Sequence, residues 1–161
     1  MKKIIVSTAI ALLILIVLAS TTFAAPAAGE RQLLFKGSLQ ATETHLVTPP
    51  TMFVEATGSG NATQLGLFTM SFQGVVYLPT LFAASESAAL VAADGANLFA
   101  EGQGQGTLTE IPGIVSIVET YTITGGTGRF AGASGNFTVQ RLVDRATLAS
   151  SGTISGNIVL P

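Results

Sequence analysis

From residue 33 onward the chain alternates apolar and polar positions with a period of two, the mark of strands with one buried face. In 33–41 the odd positions read Leu33, Phe35, Gly37, Leu39 and Ala41, and the even ones Leu34, Lys36, Ser38 and Gln40. Thr48-Pro49-Pro50-Thr51 breaks that strand, because neither proline can donate to a ladder. Met52–Thr57 resumes, Gly58-Ser59-Gly60 reads as a turn, and Asn61 to about Tyr77 as a long strand punctuated by glycine. Pro79 opens a loop, and Ala88–Ala93 runs into Asp94-Gly95, a two-residue hairpin signal. That turn sets Leu90 opposite Phe99 and Val91 opposite Leu98. Asn97–Leu108 follows with Leu98, Ala100, Gly102, Gly104, Gly106 and Leu108 on its even face, a run of small residues suited to tight curvature. Ile114–Ile123, Asn136–Val143 and Ala146–Val159 complete about eight strands. No helical stripe appears after residue 30. The expectation is an all-β domain, an eight-stranded antiparallel β-barrel whose closure removes exposed edges, with a β-sandwich as the alternative.

The first residues follow a different pattern. Lys2 and Lys3 precede an apolar run, Ile4–Leu18, and then the small-residue stretch Ala19–Ala25. That order is a secretory signal peptide, read as residues 1–24 with cleavage after Ala24, or else after Ala27. An uncleaved anchor is the competing reading, since 4–24 nearly spans a bilayer. Residues 25–32 are a short linker and 33–161 the barrel domain. The expected location is outside the cytoplasm, extracellular or periplasmic, with no membrane contact once the signal is removed.

Composition narrows the chemistry. Removing 24 of 161 residues leaves 137, enough for one core, with five basic against nine acidic side chains. An acidic surface argues against a nucleic-acid partner. With no Cys and a single His, thiolate sites, His clusters and disulfides are excluded, so no metal and no cofactor is expected. An outer-membrane barrel would need aromatic girdles, yet the chain has no Trp and only Tyr77 and Tyr121.

Between the sixth and seventh strands lies Ile123-Thr124-Gly125-Gly126-Thr127-Gly128-Arg129-Phe130-Ala131-Gly132-Ala133-Ser134-Gly135. A dinucleotide fingerprint requires a helix after the glycines, and here a strand follows. The glycines Gly125, Gly126, Gly128, Gly132 and Gly135 instead supply backbone freedom for a compact connection, with Phe130 plugging one end of the core. The stretch Tyr121–Gly135 resembles the corresponding segment of allene oxide cyclases and dirigent proteins, and the match runs from Glu119 to Leu142. Gly60–Gly66 and Ala93-Asp94-Gly95 are similar to turns of bacterial exported proteins related to that barrel. The resemblance implies an eight-stranded barrel with an apolar lumen, in an assembly of several copies. It departs from both families in activity. The cyclases' acidic and amide residues have no counterpart in Phe35–His45, their pocket cysteine is missing, and Ala131 and Ser134 stand where dirigent proteins carry basic residues.

Function is sought among polar residues on apolar faces. Val115, Ile117, Glu119, Tyr121 and Ile123 share one face of the sixth strand, and Phe137, Val139, Arg141 and Val143 one face of the seventh. If Ile123 faces Phe137, then Glu119 faces Arg141, and two opposite charges meet where either alone would be costly. Glu43 and His45 continue the apolar face of the first strand toward a barrel mouth. Glu119, Arg141, Tyr121, Glu43 and His45 are thus the candidate lumen residues. The favoured reading is a non-enzymatic barrel binding a small apolar ligand or assembling with itself. The alternatives are an isomerase or cyclase with a lumenal Glu as acid or base, and a structural extracellular protein.

Overall fold

The computed structural model describes residues 29–161. The export signal read at 1–24 lies outside the described residues. Eight strands follow in order: β1 Arg31–Thr48, β2 Thr51–Ala62, β3 Gly66–Tyr77, β4 Phe82–Ala92, β5 Asn97–Leu108, β6 Ile114–Gly126, β7 Ser134–Asp144 and β8 Ala149–Leu160. Each pairs antiparallel with the next, and β8 closes on β1, giving a closed up-and-down barrel. The all-β, eight-stranded expectation holds, and the sandwich does not form.

The period-two pattern sets which residues enter the barrel. Odd positions of β1, β6 and β7 point inward, as do even positions of β2, β3, β5 and β8. The lower half is filled solid. Phe35 packs edge-on against Phe137 at 5.3 Å, and Tyr121 stacks on Phe137 at 5.0 Å. Phe130, in the three-residue 3-10 turn Gly128–Phe130, is 1% exposed at that end. The packing is of the kind that leaves no room for water.

Three sequence expectations are corrected. The turn expected at Gly58-Ser59-Gly60 is instead the middle of β2, and the chain reverses at Thr63–Leu65. Gly58 and Gly60 are strand residues facing inward. A Cβ on Gly60 would meet the Phe68 ring at 2.5 Å, so glycine is required by close approach and not by a bend. The hairpin at Asp94-Gly95 is looser than a two-residue turn. Asp94 accepts from the Ala96 amide at 3.1 Å, and the pairing becomes Leu90 with Leu98 and Val91 with Asn97. Leu90 and Leu98 are both buried inside, which leaves Val91 and the exposed Phe99 as the large apolar residues on the outer wall there. Finally, β6 and β7 pair two residues away from expectation. Tyr121 faces Phe137, Glu119 faces Val139, and Arg141 faces Ile117. A slip of two keeps every side chain on its face, so the inward placement of these residues is unaffected.

Candidate functional site

In an up-and-down barrel alternate turns gather at the same end. The β1–β2, β3–β4, β5–β6 and β7–β8 connections therefore surround one mouth, opposite the Phe130 end. Below that mouth is a cavity of about 640 Å³. Its walls are largely apolar: Met52, Val54, Phe72, Val76, Ile117 and Val143 among others. Six charged or titratable side chains line it: Glu43, His45, Glu86, Glu119 and Arg141 within the barrel, and the exposed Arg145 at the rim. An eight-stranded barrel is just wide enough for a filled core or one small ligand, and this lumen is divided between the two.

Arg141 is the hub. It is 8% exposed and holds Glu119 through Nε, at 3.0 and 3.1 Å to the two carboxylate oxygens, and through Nη2 at 2.7 Å. Its Nη1 donates to Glu43, whose other oxygen meets His45 Nε2 at 2.7 Å. The guanidinium also lies over the Phe72 ring, 5.7 Å from its centre. Burial opposes the Arg141 charge, but Glu119 and Glu43 outweigh it and raise its pKa above the ordinary value. The bidentate fork suits a carboxylate whose alternative is an unpaired buried charge. One guanidinium serves two carboxylates, so the trio carries one negative charge in excess when His45 is neutral.

Glu86 is the member that the sequence reading missed. It is 5% exposed, and its Oε2 has no hydrogen-bond partner among the described residues. A bulge places it. Ala83 pairs with Gly104 and Glu86 with Gly102, so Ala84 and Ser85 together oppose Gln103 and the inward parity changes. Two inward glycines make its space. A Cβ on Gly104 would meet Glu86 Oε1 at 2.5 Å, and one on Gly74 would meet Glu86 Cγ at 3.0 Å. A signal was present, since Glu86 shares the even parity of Ala88, Leu90 and Ala92 and lies two residues upstream.

Burial pushes the Glu86 carboxyl up to about 8, and the negative charge of Glu119 adds to the rise. Tyr121 and Arg141 pull in the other direction without prevailing. Glu86 is therefore mainly protonated at pH 7. Tyr121 is also raised well above its usual value, by burial first and then by Glu119 and Glu86, so its phenol stays neutral. A buried acid thus lines the apolar hollow beside an ion-paired trio, with the Tyr121 phenol in the packed core next to them.

The sequence-derived residues thus converge. Glu43, His45, Glu119 and Arg141 join one network inside the barrel, and Tyr121 lies on the same inward face of β6 as Glu119. The expectation that Glu119 directly faces Arg141 fails in register, yet the side chains meet diagonally. The glycine-rich connection is far from this site. Gly125, Gly128, Gly132 and Gly135 all have positive φ, while Gly126 is close-packed against Phe130. Arg129 lies over the Phe130 ring, ion-pairs with Asp94 and donates to the Gln64 and Leu65 carbonyls, tying three turns together at the closed end. Among the described residues no three His, Asp or Glu side chains converge as a metal site.

No protein-family model and no curated protein matches the sequence. Among solved structures, the chain is similar to that of a pterocarpan synthase dirigent protein. The TM-score is 0.59 at 13% identity, over 88% of this chain and 99% of that one. An identity that low speaks for architecture alone, and with the closed eight-strand topology it establishes that this chain has the dirigent-like barrel fold.

Proposed function

We propose that this protein is an exported binding barrel whose lumen takes one small, mainly apolar molecule. The observation that carries the reading is the 640 Å³ hollow, within the size range of small-molecule sites. It pairs an apolar wall with a few converging polar groups, one of which has an unused hydrogen-bonding atom. The rim supports access for such a molecule, because Leu46, Leu108 and Ile111 on the mouth strands and turns are all about two-thirds exposed. Self-association is the weaker half of the proposal. An apolar outer wall is what would carry it, and at the β4–β5 hairpin that wall offers only Phe99 and Val91 as large apolar residues.

The test uses N-phenylnaphthylamine, an uncharged apolar fluorophore. It should bind one molecule per barrel with enhanced emission. The variant Ile117→Trp, which adds bulk within the hollow, should abolish that signal while remaining folded. Emission unchanged by Ile117→Trp, or no enhancement at all, contradicts the reading.

A second reading, isomerase-like chemistry, is favoured by Glu86 alone, since an acid titrating near 8 can both give and take a proton near neutral pH. The dirigent barrel of similar fold is named a synthase, which supports the idea that such a lumen can host a reaction. It would show as turnover lost in Glu86→Gln with fluorophore binding intact.

A further inference from the structure

We propose, resting on the lumenal binding reading above, that the molecule the lumen prefers is an apolar amine, with Glu86 as the counter-ion of its ammonium group. The argument is one of charge and unused valence. Among the described residues Arg141 is the one guanidinium buried in the hollow, and it is already shared between Glu119 and Glu43. Arg145, the other guanidinium on the cavity wall, stands exposed at the rim, so among the described residues none deep in the hollow remains to receive a carboxylate or phosphate, and the carboxylates there repel one. Glu86 Oε2, by contrast, is buried, unpartnered and part of the cavity wall. A ligand cation there supplies the positive charge that the cluster lacks and the hydrogen bond that the oxygen lacks.

The groups that face Glu86 are known from every side. Gly74 and Phe72 lie on β3, Gly102 and Gly104 on β5, Glu119 and Tyr121 on β6, and Arg141 on β7. Glu43 and His45 stand beyond them on β1. Among these Tyr121 and Arg141 favour the ionised form, but burial and Glu119 outweigh them and keep Glu86 protonated when the lumen holds no cation. Binding an ammonium ion reverses that balance. Glu86 gives up its proton to solvent and pairs as carboxylate, with no bond made or broken in the ligand. Nearly one proton per complex is released at pH 7, and few above pH 9.

The experiment displaces N-phenylnaphthylamine with three compounds of one skeleton: naphthylethylamine, naphthylethanol and naphthylpropionate. The amine should bind at least about tenfold tighter than the alcohol, and the carboxylate weakest of the three. Amine affinity should rise roughly tenfold from pH 6 to pH 7 and level off near pH 8, while alcohol affinity stays flat. In Glu86→Gln the preference for amine and its pH dependence should both vanish, with alcohol binding kept within about threefold as the sign of an intact lumen. Equal binding of amine and alcohol, or an amine preference that survives Glu86→Gln, overturns the inference and leaves lumenal binding standing. If the fluorophore itself does not bind in the lumen, both fall together.

Discussion

Arg141 and Glu119 sit on neighbouring strands without facing one another. Arg141 is opposite Ile117, and its guanidinium reaches two pairs along the ladder to take both oxygens of Glu119 at 3.0 and 3.1 Å. The reach frees Nη1 for Glu43 on β1, so a single side chain links β7 to its neighbour β6 and, past β8, to β1. The network thereby spans the barrel lumen just below the mouth.

Arg141→Ala leaves two buried carboxylates without their cation and should cost about 3–5 kcal/mol in urea unfolding. Replacing only Glu119 and Arg141 by apolar residues should remain costly, because Glu43 stays buried at 4% exposure. The triple change Glu43→Gln, Glu119→Leu, Arg141→Met should recover most of the loss. Single variants that unfold like the wild type would mean the cluster is solvated.

Glu86 should make the protein less stable as pH rises. Its folded pKa lies above its ordinary value of 4.5, at about 8, so the folded state binds more protons across that window. Stability is full below about pH 4.5 on this account and falls as pH approaches 8. Ionising the buried group costs on the order of 3–5 kcal/mol. In Glu86→Gln, melting temperatures from pH 5 to pH 9 should lose this decline, leaving the variant the more stable protein at pH 9. An unaltered pH profile would show that Glu86 is hydrated.

Much of the barrel was legible in the alternation. Strand number, inward faces and the small-residue face of β5 follow from parity alone, because a side chain's face survives any register slip of two. Register was not legible for the same reason, since Ile123 or Tyr121 against Phe137 satisfies the pattern equally well. Glycine was misread where its role was proximity. Gly58 and Gly60 look like a turn in one dimension and prove to be places where two strands and the Phe68 ring crowd the backbone. Four of the five lumen polar groups were visible as charges on apolar faces. Glu86 was not, because Pro79 drew its segment into a loop and the β4 bulge hides the strand's start.

Gly104 is the position where a methyl group should do most damage to the site. Gly104→Ala sets a Cβ 2.5 Å from Glu86 Oε1 and 3.1 Å from Glu119 Cγ, which forces the acid to move. A loss of about 1–3 kcal/mol is expected, with the titration of Glu86 displaced as well. Glu86 carbonyl-carbon NMR shifts followed against pH would show the second effect. Wild-type stability and titration in this variant would contradict the placement of Glu86.

At the closed end, burial should outweigh charge. Phe130→Ala opens a cavity in a filled core and should cost about 3–5 kcal/mol. Arg129→Ala removes a half-exposed ion pair with Asp94 and should cost no more than about 1 kcal/mol. Differential scanning calorimetry of the two variants reads the contrast, and a reversed order would mean the Arg129 clamp, not the Phe130 plug, holds that end.

The central claim is that a small apolar molecule sits inside the barrel, between the aromatic plug and the mouth. A crystal structure of the protein soaked with N-phenylnaphthylamine tests it most directly. The account predicts density for the fluorophore against Phe72, Ile117 and Val143, beside Glu86. Fluorophore density on the outer wall, with the lumen holding only water, would contradict it.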